Sequence, residues 1–90
     1  QSVIQITINN IDYNLSNITH NIILPSDHDT ITIKHNVDGN ILYYKFEDNV
    51  EYYPLSILHT HLKKYDKLDD KCILYIYNIS TNTIDSFYIK

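Results

Sequence analysis

The sequence predicts a mainly β fold: a compact antiparallel β-sandwich or barrel with one α-helix at about residues 54–66. Three observations predict it. Apolar and polar residues alternate over most of the chain, which is the two-residue period of a strand. The predicted strands follow one another through short connections, which join antiparallel neighbours. One segment, after Pro54, has helical spacing instead. A β-grasp-like α+β arrangement is the alternative, because the segment from Thr30 reads strand, strand, short strand, helix, strand, strand.

The first quarter of the chain predicts a β-hairpin followed by a third strand. Within residues 2–15, apolar residues occupy every second position on either side of Asn9 and Asn10. Asparagine tolerates a positive φ angle, which the tight two-residue turn of a hairpin requires. We therefore expect the two strands to be joined at this pair. The third strand is predicted over residues 18–24 and ends at Pro25.

The middle of the chain predicts a second hairpin. Residues 30–37 alternate so that Ile31, Ile33, His35 and Val37 share one face, and we expect the His35 ring to be partly buried there. Asp38 and Gly39 follow, and this pair suits a type I′ turn. The turn would lead into a strand over residues 41–46, which is apolar on both faces.

The last third predicts the helix and two further strands. A short strand over residues 50–53 ends at Pro54, which fits the first turn of a helix. Apolar residues then recur at spacings of three, four and three, which is a one-sided helical stripe. Its members are Leu55, Leu58, Leu62 and Tyr65. Residues 73–79 are apolar on both faces, as in a central strand, and we expect residues 83–89 to pair with them.

Length and charge limit the function classes. Ninety residues suit a single globular β-rich domain, which we take as excised from a longer chain or processed. The net charge is −4, the isoelectric point is about 5.6, and all seven positive residues are lysines. Nucleic acids and anionic membrane surfaces are both negatively charged, so a protein that binds either one usually carries a positively charged face. We therefore expect no nucleic-acid and no membrane partner.

Cysteine usage and glycosylation motifs bear on location. Cys72 is the only cysteine, so no intramolecular disulfide can form. The chain begins at Gln1 and shows no signal-peptide pattern, which fits an excised or processed domain. We expect an intracellular location slightly more than a secreted one. Three glycosylation motifs, at Asn14, Asn17 and Asn78, keep secretion as the alternative.

Metal ligands are sparse. The best group is Asp27, His28 and Asp29 in a predicted turn, with His20 on the neighbouring strand. The simpler interpretation is a solvated turn, because no further ligands follow at a recognised spacing. The sequence therefore predicts no metal site and no cofactor.

Catalytic residues are equally hard to find. His59 and His61 are two residues apart, which places them on opposite sides of a helix, so they cannot chelate a metal together. Cys72 lies beside Lys71, whose charge could activate the thiol, but a lone cysteine at the start of a central strand more often packs as a small apolar residue. We therefore assign no catalytic residue and expect no enzyme.

Tyrosine is the informative residue type, with nine in the chain. Four of them crowd one predicted hairpin and form the expected partner-binding set: Tyr43, Tyr44, Tyr52 and Tyr53. Alternation places neighbouring tyrosines on opposite faces of a strand, so some of these rings must be exposed. Tyrosine is enriched at protein interfaces because it offers a large, rigid area with a polar tip.

Three functions fit this pattern. The first is a non-catalytic protein interaction or assembly module, which binds a partner protein or a second copy through a tyrosine-rich sheet face. The second is a carbohydrate-binding β-module, in which tyrosine rings stack on sugars. The third is a small metalloprotein or enzyme that uses His28, His20 or Cys72.

Overall fold

The computed structural model describes residues 3–38, 40–65, 68 and 71–90. Within these residues the chain forms eight strands and one short α-helix. In chain order they are β1 (Gln5–Ile8), β2 (Ile11–Asn14), β3 (Thr19–Ile22), β4 (Ile33–His35), β5 (Leu42–Phe46), β6 (Tyr53–Pro54), α1 (Leu58–Lys64), β7 (Ile73–Asn78) and β8 (Thr83–Ile89). Two 3-10 turns, His28–Thr30 and Leu55–Ile57, precede β4 and α1.

The strands form two sheets, which confirms the mainly β fold with a single helix. The smaller sheet has the order β2-β1-β4, and the larger has the order β3-β8-β7-β5-β6. Every pairing is antiparallel except that of β3 with β8, which is parallel. The described strands form no closed barrel. The β-grasp alternative grouped the elements from Thr30 into one unit, but β4 belongs to the smaller sheet and β5 to the larger.

The first hairpin is as predicted. Ile8 pairs with Ile11, and the two residues between them have φ angles of 51° at Asn9 and 70° at Asn10. Two consecutive positive φ angles are the requirement of a type I′ turn, whose twist matches that of the flanking strands. The asparagine pair therefore sets the register of β1 against β2.

The second predicted hairpin is wrong. Asp38 does begin a turn, since its carbonyl accepts a hydrogen bond from the Ile41 amide at 3.2 Å. Gly39 lies outside the described residues. The strands on either side do not pair, because β4 pairs with β1 and β5 pairs with β6 and β7. The turn thus carries the chain from one sheet to the other.

The orientation of His35 also differs from the expectation. β4 is only three residues long and lies at the edge of the smaller sheet, so its end projects beyond the core. Ile31 is fully buried and Ile33 half-buried, but His35 is exposed, and its Nδ1 donates to the carbonyl oxygen of Val37 at 2.9 Å. The predicted alternation holds at Ile31, Ile33 and Val37, which packs against the core, and fails at His35.

The helix matches its predicted stripe. The segment is helical from Leu55 to Lys64, first as a 3-10 turn and then as α1. Leu55, Leu58 and Leu62 are buried, whereas the residues between them are mostly exposed. One face of this helix therefore covers the core.

The core lies on one face of the larger sheet, which we call the inner face. Alternation along β5 buries Leu42, Tyr44 and Phe46, and the same rule buries every second residue of β7 and β8. The smaller sheet and α1 pack against this face. The Tyr13 ring of β2 meets the Phe87 ring of β8 edge-on at 5.4 Å, and α1 is joined to the inner face by the aromatic contacts described below.

Candidate partner-binding face

The opposite face of the larger sheet carries most of the remaining tyrosines, and we call it the open face. Its members are Tyr43 and Lys45 from β5, Tyr52 before β6, Ile73, Tyr75 and Tyr77 from β7, and Ile84, Ser86 and Tyr88 from β8. The partly buried apolar residues that pack against the core include Tyr13, Tyr53 and Tyr65 but no member of the open face. Ile84 and Tyr88 are exposed, and the other members are half-buried.

The strand register arranges the open face in rows. Tyr43 pairs with Tyr77, which pairs in turn with Ile84. One row further, Lys45 and Ser86 flank Tyr75. Cross-strand neighbours on one face have Cβ atoms about 5 Å apart, so the rings of successive rows form a continuous surface.

Contacts between these side chains hold the rings in place. The Tyr52 and Tyr77 rings are 5.4 Å apart at an angle of 43°. The Lys45 ammonium lies 5.5 Å from the centre of the Tyr75 ring and 6.0 Å from that of Tyr52, within the range of a cation–π contact. Its Nζ also donates to the carbonyl oxygen of Asn49 at 3.1 Å. These contacts fix the positions of the side chains on the open face.

Burial changes the chemistry of one of these rings. Desolvation raises the pKa of the Tyr52 hydroxyl above its usual value of 10.0, and the nearby Tyr75 and Tyr77 raise it further. The ring is thus uncharged at neutral pH, and Lys45 is the only charged member of the open face.

The structure separates the four predicted tyrosines into two pairs. Tyr43 and Tyr52 lie on the open face. Tyr44 is fully buried on the inner face, and Tyr53 is half-buried beside it, with the two ring centres 5.9 Å apart. Alternation turns the Tyr44 ring to the inner face, so it does not lie with Tyr43 and Tyr52, and its partner-binding role stays a prediction. Tyr53 lies on the same side, away from the open face.

Tyr44 and Tyr53 belong to an aromatic cluster under α1. It consists of Tyr44, Phe46, Tyr53, His61 and Tyr65. His61 is central: its ring lies 5.0 to 6.2 Å from the other four, and its Nδ1 is 2.8 Å from the Tyr44 hydroxyl. Burial lowers the pKa of His61, opposed by the charge of Asp48, and burial raises the pKa of Tyr44 to about 12. Sequence reasoning considered His61 only as a metal ligand and missed this role, although its spacing from Leu58 and Leu62 places it beside the buried helix face.

The residues proposed as metal ligands have other roles. Asp27 accepts a hydrogen bond from the Asp29 amide at 3.2 Å and so caps the 3-10 turn that begins at His28. His20 contacts Asp85 instead of this turn. Within the described residues, no three His, Cys, Asp or Glu side chains come together as a metal site would require.

The His20 ring and the Asp85 carboxylate form a buried polar contact between β3 and β8. The Asp85 carboxylate lies 2.8 Å from His20 Nε2 and is almost fully buried. The same carboxylate accepts hydrogen bonds from the backbone amides of Ser16, Asn17 and Ile18, at 3.0, 2.9 and 3.3 Å. These four contacts fasten the segment before β3 to the middle of β8. The arrangement satisfies the buried carboxylate, which would otherwise be costly.

Cys72 is a packed core residue. It is 4% exposed, and burial raises the pKa of its thiol to about 11, with Glu47 adding to the rise. A thiol in this environment is a poor nucleophile, because the thiolate is the reactive form. Burial and Glu47 thus move the pKa of Cys72 in the direction opposite to the activation by Lys71 that the sequence allowed.

The three glycosylation motifs differ in exposure. Asn14 and Asn17 are exposed, whereas Asn78 is 4% exposed at the end of β7. The Asn78 carboxamide oxygen accepts hydrogen bonds from the Ser80 and Thr81 amides and so shapes the β7–β8 loop. A glycan on Asn78 is incompatible with this packing.

The fold and the open face define a small two-sheet β-domain with one uncovered aromatic face. The chain matches no protein-family model, no curated protein and no solved structure. None of the helices in the described residues is both long and apolar enough to cross a membrane.

Proposed function

We propose that this chain is a non-catalytic protein-binding module and that its contact surface is the open face. One observation carries the proposal: five tyrosines and two isoleucines lie on the open face, and Lys45 is the one charged residue among its named members. Glu47, Lys71 and Lys90 border this face beside Ile73 and Tyr88. The cores of protein interfaces are depleted in charged residues and enriched in tyrosine. Interface tyrosines contribute strongly to the free energy of binding, because fixing a side chain with only two torsion angles loses little conformational entropy.

The chemistry of the open face restricts the partner. Apolar side chains of the partner would lie on the rows around Tyr77, and an acidic side chain would face Lys45. A second copy of the chain carries the same net charge of −4 and the same lysine, so long-range repulsion disfavours it. We therefore favour a different protein over self-association.

The test uses a double substitution on the open face. Tyr43→Ser with Tyr52→Ser removes two rings whose side chains make no core contact, so the domain should remain folded. A single central interface tyrosine contributes about 2 kcal/mol or more, so the loss of one such anchor alone should lower the affinity for a partner at least about 30-fold. Sedimentation equilibrium measures self-association, and affinity capture with wild-type and variant baits identifies partners whose affinity is then measured directly.

A matched control removes exposed apolar side chains from outside the open face. Val3→Ser with Ile11→Ser changes two side chains that are 55% and 56% exposed and lie outside the open face. This control should bind the partner as the wild type does. The proposal fails if the wild type neither self-associates nor retains any protein whose binding depends on Tyr43 and Tyr52.

A carbohydrate partner is the second candidate, because hydroxyl and amide groups lie on the same face as the rings. Ser86 is next to Tyr75 across the strands, and Asn21 pairs with Tyr88. Sugars bind by stacking on aromatic rings while such polar groups accept and donate hydrogen bonds to their hydroxyls. A glycan array in which no glycan distinguishes the wild type from the double variant would eliminate this candidate.

A further inference from the structure

A separate pocket of about 430 Å³ opens between α1 and the β5–β6 edge of the larger sheet. Its lining residues are Tyr44, Tyr53, Ile57, Thr60, His61 and Lys64. None of them belongs to the open face, so the pocket is independent of the proposed function. Its volume lies within the range of pockets that hold small organic molecules, about 300 to 1,000 Å³.

The walls of the pocket are apolar. Tyr44 and Tyr53 present rings 5.9 Å apart, and the His61 ring meets Tyr53 edge-on at 6.2 Å. Ile57, at 46% exposure, forms the outer wall. A volume of about 430 Å³ accommodates one aromatic ring or a short branched chain, which would pack on the Tyr53 and His61 rings through edge-to-face or offset contacts.

One basic residue lines the pocket. Lys64 is exposed at the end of α1, its apolar stem contributes to the lining, and its ammonium group extends from that stem toward the solvent. Burial keeps His61 uncharged near neutral pH by lowering its pKa. Among the described residues that line the pocket, none is acidic, and Asp48 accepts a hydrogen bond from the Tyr65 hydroxyl outside the lining. The pocket thus combines an apolar interior with one cation at its rim.

We propose that this pocket binds a small monocarboxylate whose apolar body enters between Tyr53 and Ile57 while its carboxylate pairs with Lys64. The apolar body supplies most of the affinity through burial, and the ion pair selects the charged ligand. An exposed ion pair contributes up to about 1 kcal/mol, which corresponds to a preference of about fivefold.

The test compares an acid with its neutral amide. 3-Phenylpropionate and 3-phenylpropanamide are titrated into the protein at pH 7.5 and low ionic strength, and NMR shifts of Ile57, Thr60 and His61 are followed. Both compounds should produce saturable shifts at these residues. The acid should bind about fivefold more tightly than the amide.

Two matched variants test whether the preference for the acid over the amide comes from Lys64. Lys64→Gln should make the acid and the amide bind equally, whereas Lys63→Gln, which removes the same charge from a neighbouring exposed residue outside the lining, should keep the preference. The double variant Tyr43→Ser, Tyr52→Ser should bind both compounds as the wild type does. The proposal is overturned if neither compound saturates these signals, if the two bind the wild type equally, or if Lys64→Gln retains the preference.

Discussion

At the residue scale, the titratable side chain that matters most is His61. Its ring is surrounded by four aromatic side chains, and its Nδ1 contacts the Tyr44 hydroxyl. Burial disfavours the charged imidazolium more than Asp48 favours it, so the folded pKa lies below the usual 6.5. The histidine expected from the sequence to be buried, His35, is exposed, so the pH response of the fold belongs to a different element.

This environment predicts a loss of stability in mild acid. Because the pKa of His61 is lower in the folded state, the unfolded chain binds more protons once the pH falls below about 6.5. The free energy of unfolding should therefore decrease as the pH drops from 7 through 6.5 toward 5. Denaturant unfolding of the wild type and of His61→Gln over this range measures the difference, and the wild type should lose more.

The control for this prediction lies two residues away on the same helix. His59→Gln changes an exposed histidine whose Nε2 donates to the carbonyl oxygen of Ile31, and this variant should lose stability toward pH 5 as the wild type does. Parallel pH curves for the wild type and His61→Gln would contradict the assignment.

Alternation along a strand separates side chains into two sets but does not say which set is covered. The sequence therefore predicted that Tyr43 and Tyr44 point in opposite directions, as they do, yet it could not assign either to the core. That choice depends on where the smaller sheet and α1 pack, which is a tertiary contact. The pocket beside α1 was beyond sequence reasoning for the same reason, since it is bounded by residues up to 20 positions apart.

At the element scale, the parallel pair β3 and β8 depends on Asp85. Its carboxylate holds three backbone amides before β3 and contacts His20, whose ring stacks on Phe87 at 4.3 Å. These contacts fasten an edge strand that pairs with only one neighbour. The short connections of the sequence predicted mostly antiparallel neighbours, and this parallel pair is the exception because β3 pairs with a strand more than 60 positions away instead of with a neighbour in sequence.

Asp85→Asn should weaken this connection. The substitution replaces one carboxylate oxygen with an amide nitrogen, which must then face a backbone donor or His20. Loss of hydrogen bonds to a buried charge costs about 2 to 3 kcal/mol, so we expect the free energy of unfolding to fall by about that amount. Denaturant unfolding measures the change, and hydrogen exchange should show the largest loss of protection in β3.

A surface aspartate provides the comparison. Asp12 is exposed, and its carboxylate accepts a hydrogen bond from the Thr7 hydroxyl at 2.6 Å. Asp12→Asn should change the free energy of unfolding by no more than about 0.5 kcal/mol. If Asp85→Asn is as mild as Asp12→Asn, the buried carboxylate does not stabilise the β3 connection.

At the scale of the whole molecule, the open face and the pocket lie in different places. The open face is the outer surface of the larger sheet, whereas the pocket opens beside α1 at the β6 edge. Occupation of one therefore leaves the other accessible. We expect the affinity for 3-phenylpropionate to be unchanged when a protein partner covers the open face, which the same NMR titration can measure in the complex.

The position of β8 between β3 and β7 has a consequence for biosynthesis. Strands made early, β3 and β5, are held in one sheet only through β7 and β8, which leave the ribosome last among the described elements. A nascent chain that stops at residue 82 exposes the apolar inner faces of both sheets and has no partner for β3. We expect such a truncated chain to lack cooperative unfolding by circular dichroism and to associate with chaperones. Folding of this domain therefore waits for its final strand, and translation speed along the earlier strands should have little influence on it.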